Sequence, residues 1–347
     1  MNGIAFSGGG LKGAYQVGAY KAFLDCNIKI DGFVGTSIGA LNAAIIASGK
    51  YEELFDFWYN CNAGDILGLT KNLSREINEA KLDKKLIKEL FFNIKTIINN
   101  KGISTEGLRE VLDKFKVNKY LYKSKKDFGL VTVRFKDFKP VIMFKENIKP
   151  DKLNDYLIAS CLLPIFKLEK IIDDNYYLDG GFYDNAPANV LLDRGYDKVY
   201  VIDLQAIGLK RPYKDKQKLV IIKPSRSTKS ILDIKKYDIR SNMELGYFDA
   251  LKVLKKLDGN KYIFKVRSNF YYELLIKKVD DKTKKEMSLM FGTKNAKRLI
   301  IKAVELVMQK NKWSYFKVYN IKKVIKEIKK DKNDYGVYKF IKKLRVF

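Results

Sequence analysis

The sequence predicts an α/β fold whose first strands run parallel and are joined by right-handed crossovers. Two short apolar runs, Gly3-Ile4-Ala5-Phe6 and Gly32-Phe33-Val34, are each followed by a helical pattern within the first 50 residues. Glycines close these runs, and glycine lets a chain turn sharply from strand into helix. Hydrophobic residues make up 46% of the 347 and aromatics 13%, which is enough to bury a sizeable core rather than leave the chain disordered. Strand, helix, strand and helix over so short a span place consecutive strands side by side and parallel.

Residues 3–6 form the first buried strand. Residues 14–24 then place Tyr15, Ala19, Ala22 and Phe23 where a helix packs back onto it. Residues 32–34 read as the second strand and residues 40–47 as a second, apolar helix. The uncharged stretch 32–49 has 18 residues, the length of a membrane span. Its four glycines, two serines, threonine and asparagine make it a buried strand, turn and helix instead. The character changes over residues 61–102. There Leu86, Ile87, Leu90, Phe91, Ile94, Ile97 and Ile98 recur at helical spacing, with Lys84, Lys85, Lys88 and Lys95 between them. Such a helix suits a lid or membrane contact, although amphipathic helices of this kind more often cover a core. Strands resume at 128–135, 140–144, 198–204 and 219–223. Further helices are expected at 151–161, 188–194, 243–257 and 285–308.

The chain holds 68 Lys and Arg against 40 Asp and Glu, a net +28, and no histidine. Without imidazole there is no Ser-His-Asp or Cys-His triad, no histidine general base and no histidine-based metal site. A hydrolase built from this chain needs another base. The charge is uneven: residues 1–70 have a net −2, whereas residues 296–347 have sixteen Lys and Arg against four carboxylates, a net +12. Nucleic acid, acidic phospholipid or another anionic partner suits that field. A lysine bias from A- and T-rich codons explains the total charge as well, but its C-terminal concentration less readily. Over residues 310–347, Trp313, Tyr315, Phe316, Tyr319, Ile321, Val324, Ile325 and Ile328 are mixed with lysines. That mixture fits a lipid interface or a basic outer helix packed on its own domain. Cys26, Cys61 and Cys161 make neither a disulfide framework nor a C-x-x-C knuckle. The start MNGIAFSGGG lacks the basic and apolar regions of a signal peptide. A reduced, cytoplasmic setting, with peripheral membrane contact at most, is therefore expected.

Three motifs carry chemistry. Gly8-Gly9-Gly10-Leu11-Lys12-Gly13 lies between the first strand and its helix, where successive backbone N–H groups form an anion site at a helix N-terminus. Alone, its glycine spacing also fits a dinucleotide loop. That reading wants an acid after the second strand, and Asp31 precedes it. Gly35-Thr36-Ser37-Ile38-Gly39 follows the second strand instead. It is a G-x-S-x-G elbow, in which small residues let strand and helix nearly touch and leave the Ser37 hydroxyl at the apex. Parallel neighbouring strands put both motifs at one end of the sheet. Leu178-Asp179-Gly180-Gly181 ends another apolar run, with an acid that two glycines allow other backbone to approach.

Together these motifs resemble the patatin-like phospholipase family, whose signatures are a G-G-G-x-[K/R]-G oxyanion loop, a G-x-S-x-G elbow and a D-G-[G/A] acid motif, in that order. Ala159-Ser160 before Leu163-Pro164, and Asn185-x-Pro187 after the acid, are similar too. The likeness covers about residues 1–205. It implies a three-layer α/β/α sandwich with a mainly parallel central sheet, to which a helical, basic C-terminal region is added. The resulting division is a catalytic core over 1–205 with a helical insertion at about 61–105, a continuation over 206–295, and the basic region over 296–347.

The resemblance also implies a lipid acyl hydrolase, a phospholipase A-type esterase that works through an acyl-enzyme. Ser37 would be the nucleophile and Asp179 the base. Gly8, Gly9, Gly10, Leu11, Lys12 and Gly13 would form the oxyanion loop, Gly35 and Gly39 the elbow, and Gly180 and Gly181 the rest of the acid motif. Neither cofactor nor metal is expected. The expected partners are a phospholipid or other lipid ester and an anionic membrane surface, and nucleic acid is not expected. Acyl transfer would use the same dyad with an alcohol in place of water. A reading from another class is a basic membrane- or nucleic-acid-binding protein with an incidental site. An ordinary Asp, at about 3.9, is a poor base for an alcohol. Asp179 is therefore expected to be desolvated, with a raised pKa.

Overall fold

The computed structural model describes residues 1–61, 104–164, 166–167, 169–226 and 236–346. The helix expected over 86–98 lies outside them. β1 (Asn2–Phe6) passes through one tight turn, Gly10–Lys12, into α1 (Gly13–Asp25). β2 (Gly32–Thr36) leads directly into α2 (Ile38–Ala47), and every residue of both is buried. The uncharged 18-residue stretch is thus a strand, a turn and a helix sunk in the core. Among the described residues no helix is long and apolar enough to cross a membrane. α3 (Tyr51–Asn60), α4 (Glu106–Phe115), α5 (Leu153–Ser160) and α6 (Ala188–Leu192) follow.

The remaining strands of this part are β3 (Asp127–Arg134), β4 (Lys139–Phe144), β5 (Lys170–Ile172), β6 (Asn175–Asp179), β7 (Lys198–Ile202) and β8 (Leu219–Ile222). Among the described residues, eight strands form one sheet. β3, β2, β1, β7 and β8 lie side by side and parallel, with Phe6 opposite Gly35 and Ile202. β4 and β6 pair antiparallel with β3, and β5 antiparallel with β6. Alternation along the buried strands divides the side chains between two faces. Ala5, Val34, Val131, Val199 and Val201 face α6. Phe6 stacks on Phe33 on the other face, where Tyr20 and Phe23 of α1 meet Phe33 and Tyr200 edge-on. The result is a mostly parallel sheet flanked by helices.

The chain divides into two compact units, Met1–Ala250 and Leu251–Phe347. α7 (Lys236–Leu254) is the last long helix before the smaller unit's own elements. In that unit β9 (Ile263–Phe264) pairs parallel with β10 (Val318–Tyr319). α8 (Asn269–Ile276), α9 (Asp281–Phe291), α10 (Ala296–Lys310), α11 (Ile321–Ile328) and α12 (Gly336–Lys343) enclose a separate core. The single helix expected over 285–308 is in fact two. Gly292, at φ 63°, ends α9, and the Asn295 side chain accepts the Arg298 N–H to start α10. The tail's apolar residues also have a definite place. Ile321, Val324, Ile325 and Ile328 are buried in this core, and Trp313, Tyr315 and Tyr319 pack against it. The four aliphatic residues thus serve their own domain's core.

Candidate active site

The position of the site follows from strand pairing on β3. Thr36, the last residue of β2, pairs with Val131, and Asp179, the last residue of β6, pairs with Thr132. Val131 and Thr132 both pair with β4 as well. β2 and β6 therefore share the opposite edge of β3 and run toward each other. Their C-terminal ends meet there, so Ser37, just beyond β2, faces Asp179 at the end of β6.

Ser37 turns the chain from β2 into α2 with φ 57° and ψ −135°. A side chain in this region costs about 1–3 kcal/mol and persists only where its surroundings dictate it. Here they do. The Ser37 N–H donates to Ser160 Oγ at 2.9 Å, and that hydroxyl donates to the Val131 carbonyl at 2.6 Å. The Ser37 carbonyl accepts the Ala40 N–H at 2.8 Å in the first turn of α2. The glycines around Ser37 allow a contact no other residue permits. A Cβ on Gly39 would lie 2.5 Å from the Phe6 carbonyl oxygen, and one on Gly35 would lie 2.3 Å from the Gly39 carbonyl.

The glycine loop lies against this elbow, since a Cβ on Gly8 would be 3.2 Å from Ser37 Cβ. Asn185 holds the loop from one side: the Gly8 N–H donates to its carbonyl at 3.0 Å, and its amide nitrogen donates to the Gly8 carbonyl at 3.4 Å. A buried polar chain holds the other side. Trp58 Nε1 donates to Asn42 Oδ1 at 3.1 Å, and Asn42 Nδ2 donates to Gln16 Oε1 at 2.9 Å and to the Gly13 carbonyl at 3.1 Å. Gln16 Nε2 in turn donates to the Ser7 carbonyl at 2.6 Å. Among the described residues, no hydrogen bond uses the N–H groups of Gly9, Gly10 or Leu11. Those donors are at the entrance to α1, where the helix dipole favours negative charge. Gly10 has φ 54°, and Lys12 and Gly13 are buried where α1 begins.

Asp179 is only 2% exposed. Its Oδ1 accepts the Gly181 N–H at 2.7 Å, while Oδ2 is buried with no hydrogen-bond partner among the described residues. Burial raises its pKa from the ordinary 3.8 to about 6, against the lowering influence of the Ser37 hydroxyl and the Gly181 N–H. The hydroxyl is thus close enough to favour the carboxylate, although it makes no well-formed hydrogen bond to it. Gly180 follows at a point where a Cβ would lie 2.1 Å from the Val131 carbonyl oxygen, so this strand end approaches β3 backbone directly. Cys161 is buried beside both groups. Burial and the neighbouring Asp179 push its thiol pKa up, and its contact with the Ser37 side chain opposes this.

The three sequence motifs therefore lie together: Gly8 against Ser37, Gly39 against Phe6 and Ser7, and Asp179 of the third motif beside Ser37. The arrangement offers a buried hydroxyl at the apex of the elbow, a desolvated carboxyl and backbone donors that no hydrogen bond uses among the described residues. Such a set can attack an acyl carbonyl and hold the resulting oxyanion. Sequence reading quoted Ser160 and Asn185 only as text flanking the motifs, and it passed over Asn42, Gln16 and Trp58. Asn42 did carry a signal, being the only side chain with an amide in an otherwise apolar helix. Among the described residues, no group of three His, Cys, Asp or Glu side chains is placed to hold a metal ion. A cavity of about 550 Å³, lined by Tyr20, Tyr51, Ser48, Tyr120 and Lys126, lies at the opposite end of α2 from Ser37 and is separate from this site.

Comparison with known proteins bears on the same region. The family model described as patatin-like phospholipase matches residues 4–192. No curated protein matches the chain in sequence. Among solved structures, VipD from Legionella pneumophila is similar over 95% of this chain and 79% of its own, with 14% identity and a TM-score of 0.43. ExoU from Pseudomonas aeruginosa, in its complex with SpcU, is similar over 98% of this chain and 70% of its own, with 13% identity and a TM-score of 0.37.

Proposed function

The chain belongs to the patatin-like phospholipase family, whose members are lipid hydrolases, and we propose from this premise that Ser37 and Asp179 form a catalytic dyad cleaving acyl esters of membrane lipids. The meeting of two strand ends on one edge of β3 carries this reading, because it sets a strained serine beside a buried, unpaired carboxylate oxygen.

In the proposed reaction Asp179 Oδ2 takes the Ser37 proton as Oγ attacks the ester carbonyl. A carboxylate with a pKa of about 6 is a better base than an ordinary Asp and is still ionised at neutral pH. The N–H groups of Gly9, Gly10 and Leu11 meet the oxyanion, and each such donor typically contributes about 3–4 kcal/mol. Collapse of the tetrahedral intermediate expels the alcohol, which takes its proton from Asp179 and leaves an acyl-Ser37. Water then attacks the acyl-enzyme while Asp179 serves again as base. No step requires an imidazole. Phospholipid vesicles incubated with the protein should yield free fatty acid and lysophospholipid, detected by mass spectrometry. Ser37→Ala and Asp179→Asn should yield neither while keeping the wild-type circular dichroism. Undiminished product from Ser37→Ala would exclude the dyad.

The proposal extends to peripheral contact with anionic membranes. Residues 251–347 carry 28 Lys and Arg against 9 Asp and Glu, a net +19. Ile321, Val324, Ile325 and Ile328 are buried in their own core, and the proposed attraction is the electrostatic one of this net charge, which should be screened by salt. Sedimentation with anionic vesicles at low salt should be lost as ionic strength rises and be absent with zwitterionic vesicles. Binding that ignores both salt and lipid charge would refute it.

A further inference from the structure

The last residue of α5 and the two that follow touch both halves of the proposed dyad. Ser160 Oγ accepts the Ser37 N–H at 2.9 Å and donates to the Val131 carbonyl at 2.6 Å. The Leu162 carbonyl accepts the Asp179 N–H at 2.8 Å. Between them, the Cys161 thiol is in contact with the Ser37 side chain. Three consecutive residues thus bear on the nucleophile's backbone, its side chain and the base's backbone.

Chemistry fixes the direction of the two Ser160 bonds. A carbonyl only accepts and an amide N–H only donates, so the hydroxyl proton goes to Val131 and a lone pair faces Ser37. Val131 is also the β3 residue opposite Thr36. The hydroxyl therefore closes a ring from Ser37 through Ser160 and Val131 back across the ladder to Thr36. Ser160 is fully buried. The Ser37 N–H, at the very start of α2, has no partner within the helix. The Ser160 hydroxyl satisfies it and opposes relaxation of a backbone held at φ 57°.

We propose that Ser160 is a positioning residue that sets the direction of Ser37 Oγ, and that the Ser160–Leu162 segment is a bracket fixing the spacing of nucleophile and base. This rests on the reading of Ser37 as nucleophile. It has one consequence for the oxyanion: the nucleophile's own N–H is engaged by Ser160 and is not among the donors available to it. Ser160 touches no reacting atom and acts through the Ser37 backbone.

The test uses the full chain with Ser160→Ala and Ser160→Cys, a fluorophosphonate probe and a soluble p-nitrophenyl ester. The probe gives two quantities, the final number of labelled sites per chain and the rate of labelling. In Ser160→Ala the number of sites should equal wild type, while labelling rate and kcat per labelled site fall about tenfold to a hundredfold and KM changes little. Ser160→Cys keeps the shape with a weaker donor and acceptor, so its kcat per site should fall between the two. It also decides the matter if the Ala chain does not fold. Wild-type kcat per site in either variant overturns the proposal. Fewer labelled sites, each turning over at the wild-type rate, also overturns it, because that is the mark of a purely structural residue. A wild-type chain that takes no label at all overturns the assignment of Ser37 itself, a result distinct from the other two.

Discussion

Replacing Asp179 by Asn should make the protein more stable while abolishing its activity, and the gain should depend on pH. Asp179 is 2% exposed, and burial raises its pKa from 3.8 to about 6. Well below pH 4 the carboxyl is neutral in both folded and unfolded chains and contributes no difference. Between pH 4 and 6 the folded chain keeps a proton that the unfolded chain has released, so stability falls as pH rises. Above pH 6 the loss is complete. Two pKa units at about 1.36 kcal/mol each amount to roughly 3 kcal/mol. The amide carries no charge across this range, and its oxygen can still accept the Gly181 N–H that Oδ1 accepts at 2.7 Å. Asp179→Asn should therefore exceed wild type by up to about 3 kcal/mol at pH 8 and by almost nothing at pH 4. Urea titrations from pH 4 to 8 measure this. Trp58 fluorescence in a Trp313→Phe background reports the larger unit alone, since the chain has two tryptophans. A gap that does not change with pH, or an Asn variant less stable than wild type at pH 8, would refute the reasoning from burial.

The same carboxyl governs rate. kcat/KM for a soluble ester should climb through an apparent pKa of about 6 and then level off, because the base must be ionised; a profile flat from pH 4 to 8 would contradict this. Gly39→Ala places a Cβ 2.5 Å from the Phe6 carbonyl oxygen and 2.6 Å from that of Ser7, both backbone atoms that cannot yield cheaply. It should lower stability by about 2 kcal/mol or more and slow fluorophosphonate labelling sharply; an unchanged melting temperature would show the elbow to be looser than described. In the smaller unit, Glu305 Oε1 accepts the N–H groups of Asn260, Lys261 and Tyr262 at 2.6, 3.0 and 3.1 Å. Glu305→Ala should destabilise that unit by roughly 2–4 kcal/mol and Glu305→Gln by less, since the amide oxygen still accepts; chemical denaturation followed at Trp313 distinguishes them.

Much of this was legible in the sequence because it is local. An apolar run closed by glycines and followed by helical spacing is written in consecutive residues, as at Gly3 to Gly13 and Gly32 to Ala47. The residue types that make an anion loop, an elbow and an acid turn are local too, so Gly8–Gly13, Ser37 and Asp179 could be nominated before any contact was known. What could not be read is the pairing that unites them. Nothing in Asn175–Asp179 says that it runs antiparallel onto the end of β3, next to where β2 stops. Ser160 and Asn185 were visible as neighbours of motifs, but their bonds to Ser37 and Gly8 join segments far apart in the chain. The division of residues 285–308 into two helices was written locally, in Gly292 and Asn295, and was missed because apolar spacing continues on both sides of the break. The tail's mixture of aromatic, aliphatic and basic residues fits a membrane face and a core-facing helix equally. Only the burial of Val324, Ile325 and Ile328 in the smaller unit distinguishes them.

The most direct test of the central claim is to find where an acyl-mimicking probe becomes attached. Wild-type protein saturated with a fluorophosphonate and digested for peptide mass spectrometry should carry one adduct, on Ser37. Asp179→Asn should reach that adduct far more slowly, and Ser37→Ala should carry none. An adduct on any other residue, or no adduct on a folded wild-type chain, would contradict Ser37 as the nucleophile.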